Sequence, residues 1–381
     1  MNQLLPLVHY IWWGNPATDW LALDATKTPN QLAKLGRVRV HYWRHSADTM
    51  IGVQPARGRE YELQAAGTWP KRAALHDSII LHEVKSIGDT TAEGDGMTAA
   101  DILTGAIGPN GLLTTVDESH RGQLINAIVA TLSAYNMRSA VKDFLCLLVL
   151  YRYGGWYFDT TTAITDPTPG DIVAKLRVVT KPYSDELAVE DEVRFVKTRV
   201  GGKSILMLND RSDDYTMLLG KLPSNLPGVV ELDDIDTWAM YAPPRHPAIL
   251  TMIDSYIERA RNMGLNRYGL CDIVGPLKTT QQQRNHRYLL QAISAIMQGA
   301  SDLEKLTIVR GERNRIIGNI NIASVQEGLA KYRATSGRSV TETTIATRPA
   351  TNAEAEAHPG VHVVVSEFGI GKRHAGNWRN V

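Results

Sequence analysis

The chain has 381 residues, 43% of them hydrophobic and 21% charged, with a formal net charge of +1. That is an ordinary globular composition, long enough for one large domain or two smaller ones, and its near-neutral balance gives no global footprint for nucleic acid or a membrane surface. The two cysteines, Cys146 and Cys271, argue against a disulfide framework and fit a reducing compartment; no Cys/His pair has the spacing of a zinc site.

The first residues carry neither a basic n-region nor a long apolar h-region, so no signal peptide is expected. No stretch approaches the ~20 uninterrupted apolar residues of a membrane span. A cytoplasmic protein, or one delivered without a cleaved signal, is the expectation. Leu7 to Gly14, L-V-H-Y-I-W-W-G, reads as a first buried strand ended by glycine. Asp19 to Leu35 reads as a helix, and Arg37 to Trp43 as a second strand that alternates apolar and polar residues. This strand, helix, strand opening is an α/β beginning. No dinucleotide or P-loop glycine fingerprint accompanies it, which disfavours dehydrogenases and NTPases.

Residues 50–115 form a variable zone with a strand at Ile79 to Val84, a short helix at Ala99 to Ile107 and a loop around Gly88 to Gly96. Asp117 to Tyr135 is a helix candidate. The next helix carries Ala140, Phe144, Leu147, Leu148 and Tyr151 at helical spacing. Gly154 and Gly155 stop it, because glycine accepts the positive φ that a helix end requires. Trp156, Tyr157 and Phe158 then make a short aromatic strand, which delivers Asp159 and the hydroxyls Thr160, Thr161 and Thr162 at its end. A carboxylate there is well placed for a ligand, since α/β sheets bind at their strand ends.

Further on, Val193 to Val196 and Ile205 to Leu208 read as strands around the Gly201-Gly202 turn. Asp236 to Tyr241 leads through Pro243, Pro244, His246 and Pro247 into a helix carrying Ile249, Ile253, Ile257 and Ala260. His246 reads as a helix-start element rather than a catalytic group. Gln281 to Gln298 is a helix and Leu306 to Val309 a strand. Thr335 to Gly360 lacks periodicity and reads as a mobile loop or lid. Val361 to Val365 is a strand, followed by the ending K-R-H-A-G-N-W. Two basic clusters, Arg310 to Arg315 and Lys372 to Arg379, read as solvated surface.

The run Leu150 to Asp159, L-Y-R-Y-G-G-W-Y-F-D, resembles the L-Y-x-Y-G-G-x-Y-x-D-x-D signature of the DXD-motif sugar-nucleotide glycosyltransferases. Yeast-type mannosyltransferases and the glucosyltransferase domains of clostridial toxins are among them. The first strand is similar to that family's I-x-x-I-W-x-G, and the ending to its H-x-x-G-S-W. The resemblance implies a single α/β domain of the GT-A type over residues 1–381, a mixed central sheet flanked by helices with helical insertions. It implies a retaining transferase that moves a sugar from a nucleoside-diphosphate sugar, a UDP-sugar first, to a hydroxyl of a protein or glycan. Two alternatives stand beside it: transfer to hydroxymethylated bases of DNA, and donor binding without turnover.

By resemblance, Trp12 stacks on the nucleotide base with Trp13 beside it. Asp143 and Asp159 orient ribose and sugar, and Tyr157 lines the donor site. Asn377 and Trp378 close over the diphosphate. A divalent ion, Mn²⁺ or Mg²⁺, falls to Asp159, Thr161 and Asn377. Two positions depart from the family. An Arg three residues after Asp143 is replaced by Cys146, and the second Asp of D-x-D is Thr161. A hydroxyl keeps an oxygen for a hard cation but drops the negative charge such ions prefer. Three arrangements stay open: metal held by other carboxylates and water, a diphosphate neutralised by Lys or Arg, or a bound donor that is not turned over.

Overall fold

The computed structural model describes residues 5–13, 25–45, 51–53, 73–85, 97–104, 116–134, 137–165, 169–177, 194–197, 203–207, 229–233, 235–262, 320, 324–332, 343–345, 347–366 and 369–373. Its first half runs β1 (Leu7–Trp12), α1 (Lys27–Lys34), β2 (Arg39–His45), β3 (Ile51–Val53), β4 (Ala73–Leu75), β5 (Ile80–Lys85) and β6 (Met97–Thr98). Three helices follow, α2 (Ala99–Thr104), α3 (Val116–Ala134) and α4 (Arg138–Tyr153), then β7 (Gly155–Phe158), β8 (Thr162–Ile164) and α5 (Pro169–Arg177). The second half holds β9 (Arg194–Lys197), β10 (Lys203–Met207), β11 (Val229–Asp233), β12 (Ile235–Ala242) and α6 (Pro247–Asn262). It continues with β13 (Thr343–Ile345), β14 (Thr347–Pro349), α7 (Asn352–Ala357), β15 (Val361–Val365) and β16 (Ile370–Arg373).

Eight strands form one mixed sheet in the order β13-β9-β12-β7-β1-β2-β5-β6. The β7-β1-β2-β5-β6 stretch is parallel throughout, whereas β12 runs antiparallel to both β7 and β9. Alternation along the central strands sorts side chains into two layers. Val8, Tyr10, Trp156 and Phe158 enter one core, with Leu32 of α1 and Ile172 of α5. Ile11, Trp13 and Tyr157 enter the other, with α2, α3, α4 and α6. This is the α/β class, with the mixed sheet and two helical faces that the sequence suggests.

α4 is more buried than an amphipathic helix has to be. Ala140, Val141 and every residue from Phe144 to Leu150 are buried, as expected of a helix apolar on all sides. Phe144 stacks on Tyr256 of α6 with ring centres 4.1 Å apart, and the Tyr256 hydroxyl donates to the Ala140 carbonyl at 2.9 Å. Within this apolar run only Lys142 and Asp143 are charged.

The two glycines after α4 do more than end a helix. Gly154 has φ 64° and ψ −169°, a region essentially closed to other residues, rather than the left-handed helical conformation expected from the sequence. A Cβ on Gly154 would lie 2.4 Å from the Pro244 nitrogen, and one on Gly155 would lie 2.6 Å from the Leu7 carbonyl oxygen. The end of α4, the start of β1 and the turn after β12 all meet there.

A second, four-stranded sheet has the order β14-β15-β16-β8, with every pairing antiparallel. It packs on the β1/β7 face opposite α4, through Val363, Val365 and Ile370. Part of it lies in the stretch read from sequence as a loop. There the segments are short, and α7 is held by a capping box. The Thr351 hydroxyl accepts from the Glu354 backbone, and the Glu354 carboxylate accepts from the Thr351 N–H at 2.8 Å. The expected helix at Gln281 to Gln298, the strand at Leu306 to Val309 and the Gly201-Gly202 turn lie outside the described residues. No helix among the described residues is long and apolar enough to cross a membrane.

Three histidines cross the parallel strands side by side: His9 on β1, His41 on β2 and His82 on β5. The Trp43 indole N–H donates to His9 Nδ1 at 3.3 Å, so the His9 proton sits on Nε2, 2.9 Å from the Gly154 carbonyl oxygen. His82 Nε2 lies 2.9 Å from His41 Nδ1. Burial and the neighbouring His41 push His9 down to about 3, and burial, with His82, pushes His41 to about 4; burial alone does so for His82, also to about 4. The unfolded chain protonates these groups near pH ~6.5, so between there and the folded values the unfolded state binds more protons. Their contribution is fully present above about pH 6.5 and is lost as pH falls through about 4. Asp143 works the other way, since burial raises it to about 6. His246 and His358 are lowered by burial as well, and Asp254 is raised as Asp143 is. Lowered histidines therefore outnumber raised carboxylates among the described residues, and the thermal midpoint should be flat above pH 7 and fall between pH 6.5 and 4.5. A midpoint indifferent to pH across that window would mean the row ionises inside the fold.

Candidate functional site

The site grows out of β7. Side chains two apart on a strand share a face, so Asp159 leaves the strand end on the same side as Tyr157, toward α4. Its backbone N–H donates to the Trp238 carbonyl of β12 at 2.8 Å, which anchors the strand end. The carboxylate is bound on both oxygens. Oδ1 accepts from Lys142 Nζ at 2.6 Å and from the Tyr157 hydroxyl at 2.7 Å, and Oδ2 accepts from Lys372 Nζ. Lys142 also pairs with Asp143 Oδ1 at 3.0 Å. Lys372 donates to the Thr161 hydroxyl at 2.6 Å.

Two carboxylates and two ammonium groups therefore converge at the sheet edge, between the helical layer and the small sheet. Burial alone would raise the Asp159 carboxyl, but Lys142 and Lys372 outweigh it and hold Asp159 well below the usual carboxylate range. Burial would likewise lower Lys142, yet Asp143 and Asp159 carry it upward, so it stays charged.

Lys372 arrives from 213 residues away in the sequence. β16 pairs with β8, setting Lys372 beside Thr162, and the Arg373 N–H donates to the Thr161 carbonyl at 3.0 Å. The basic C-terminal cluster is thus not wholly solvated surface, because its first residue is committed to the Asp159 carboxylate. Of the three threonines only Thr161 belongs to the site. The Thr162 hydroxyl donates to the Asp159 carbonyl at 2.8 Å, and Thr160 is buried.

The other sequence candidates sit as follows. Asp143 is in the cluster. Tyr157 is buried, so it holds Asp159 in place and has no surface to offer a donor. Trp13 lies in the helical-side core with its ring centre 4.3 Å from that of His45, which removes it from a stacking role. Trp12 ends β1 half-buried against the opposite core, so the two tryptophans part across the strand. Its indole N–H is buried without a partner among the described residues. Cys146 is a buried core residue, its thiol pushed up by burial. On the same helix, Lys142 pairs with Asp143 and Asp159. His246 caps α6, with Nδ1 accepting the Ala248 N–H at 3.1 Å. Asn377 and Trp378 lie outside the described residues.

Among the described residues the donor set does not fit a divalent ion: no group of three or more His, Cys, Asp or Glu side chains comes together there for a metal. Asp159 and Thr161 are instead bridged by the Lys372 ammonium. A metal held by both would have to lie against that positive charge.

No family model matches the chain, and no curated protein does. Solved structures similar to it include the PaToxG glycosyltransferase, 11% identical over 86% of this chain and 87% of that one, with a TM-score of 0.27. The UDP-bound glycosyltransferase domain of the YGT toxin is 12% identical over 90% of this chain and 80% of that one, with a TM-score of 0.34. UTP-bound UGPase from Acinetobacter baumannii is 8% identical over 73% of this chain and 84% of that one, with a TM-score of 0.27. A likeness this loose decides nothing about function, and the side chains have to.

Proposed function

We propose that the chain is a retaining glycosyltransferase that takes a sugar from a nucleoside-diphosphate sugar, a UDP-sugar first, and places it on a hydroxyl of a protein or glycan. The observation that carries this reading is the Asp159 carboxylate, fixed at the C-terminal end of a buried strand with Asp143 and two lysines around it. Carboxylates accept the hydroxyls of ribose and sugar, and ammonium groups meet phosphate oxygens. The resemblance of Leu150 to Asp159 to the transferase signature supports it from the sequence side.

In the reaction the bond between the anomeric carbon and the β-phosphate oxygen breaks, and its electron pair stays on the departing diphosphate. The acceptor oxygen bonds to the oxocarbenium-like carbon on the same face, and its proton passes to the freed phosphate oxygen. The protein's share is electrostatic stabilisation of the leaving group in a partly dry site. Trp12, at the same edge, offers an indole for the base. Incubation with UDP- and GDP-sugars, with and without Mn²⁺, should release free nucleoside diphosphate by slow hydrolysis of one donor. Release undiminished in Asp159→Asn would defeat the assignment.

One observation favours a second reading, a donor-binding protein that does not turn over. Both oxygens of Asp159 are already taken by lysine and tyrosine donors. A nucleotide sugar that raises the thermal midpoint without releasing diphosphate would select it.

A further inference from the structure

We propose that Lys372, together with Lys142, neutralises the donor's diphosphate directly, so that a nucleoside diphosphate binds against the two ammonium groups with no divalent ion between. The inference rests on the nucleotide-sugar reading above and says how that site handles charge.

Four features of the cluster support it. Lys372 joins Asp159 to Thr161, the two positions that would share an ion, and so fills the space between them with a positive charge. The charge balance is kept, since two ammonium groups facing Asp143 and Asp159 carry the same total as one divalent ion. An ammonium has three protons. Lys372 uses one on Asp159 and one on Thr161, and Lys142 uses one on Asp159 and one on Asp143. Among the described residues no further partner engages either group, which leaves each ammonium a third proton for a phosphate oxygen, and each side chain is 20% exposed. Finally, Lys372 stands on a paired strand rather than a loop. Arg373 next to it is tied to the Thr161 carbonyl, so the ammonium is held in place before any ligand arrives.

The test is a titration of the full chain, followed by thermal shift, with inorganic pyrophosphate, UDP and UDP-glucose. Each is run in excess chelator and in Mn²⁺, for the wild type, Lys372→Met and Lys372→Arg. The wild type should bind UDP equally well in both conditions. Lys372→Met should weaken UDP and pyrophosphate tenfold or more in either condition, and Lys372→Arg should keep most of the affinity. Wild-type UDP binding that vanishes in chelator would overturn the proposal while leaving the transferase reading intact, and this comparison needs no variant to fold. Lys372→Met binding like the wild type would overturn it too. Pyrophosphate bound in chelator and lost in Lys372→Met, with no response to any nucleotide, would keep the anion site and retire the sugar donor. No response to either probe would overturn the proposal.

Discussion

Asp159→Asn should cost the fold about 3 kcal/mol as well as ending turnover. The carboxylate is the shared countercharge of Lys142 and Lys372, and its side chain is 13% exposed. The amide keeps the shape and loses the charge, so Lys372 is left without its carboxylate partner and Lys142 keeps only Asp143 in a largely dry site. Removing one partner of a buried pair costs ~3–5 kcal/mol, and the lower end applies because each lysine is a fifth exposed. Urea unfolding would measure the loss. The double variant Asp159→Asn with Lys372→Met should recover part of it, because it removes the stranded Lys372 charge. A single variant as stable as the wild type would mean that the lysines swing to solvent at no cost and that the cluster is not held together by Asp159.

The second large effect is expected at the glycine pair. Gly154→Ala and Gly155→Ala should each destabilise by about 3 kcal/mol or more. Both residues have positive φ, 64° and 95°. In each case the added methyl also meets backbone or ring atoms at 2.4–2.6 Å that cannot rotate away. At Gly154 the obstacle is Pro244, and at Gly155 it is the Leu7 carbonyl. Had the glycines served only to stop α4, alanine would cost ~1–2 kcal/mol, the usual cost of a side chain in the left-handed conformation. Denaturant midpoints of the two variants separate the readings, and a loss near the smaller figure would show that Pro244 and Leu7 can yield.

The sequence made the helix, glycine pair and aromatic strand legible because three signals coincide within about twenty residues: helical spacing, a breaker and β-formers. Asp159 followed from that, as the first charge after a buried strand. Lys142 was legible too, in hindsight, as half of a charged pair inside an apolar run. A charge tolerated there has to face a partner or a cavity. Lys372 carried no such mark. It sits beside Arg373 in a basic run that resembles any solvated tail, and its partners are brought to it only by the pairing of β16 with β8. Those strands have 4 and 3 residues, too few for alternation to register. The same brevity hid β14, and the T-x-x-E box at Thr351 was readable by rule but lay in a stretch without periodicity. Trp13, read as lying beside Trp12 at the base, is buried in the helical-side core. Neighbouring strand residues point to opposite faces, and sequence alone does not say which of two adjacent tryptophans meets the core.

The β8–β16 pairing has a consequence for how the protein is made. Three of the four charged groups in the site lie within eighteen consecutive residues, while the fourth is added by the last described strand. On the ribosome the central sheet can pair and bury Asp159 against Lys142 long before β16 exists. Until that strand emerges and zips onto β8, Asp159 lacks its second countercharge and the Thr161 hydroxyl its donor. The cluster is therefore completed only once synthesis has passed Lys372, and a chain released before that point carries Asp159 without the Lys372 countercharge.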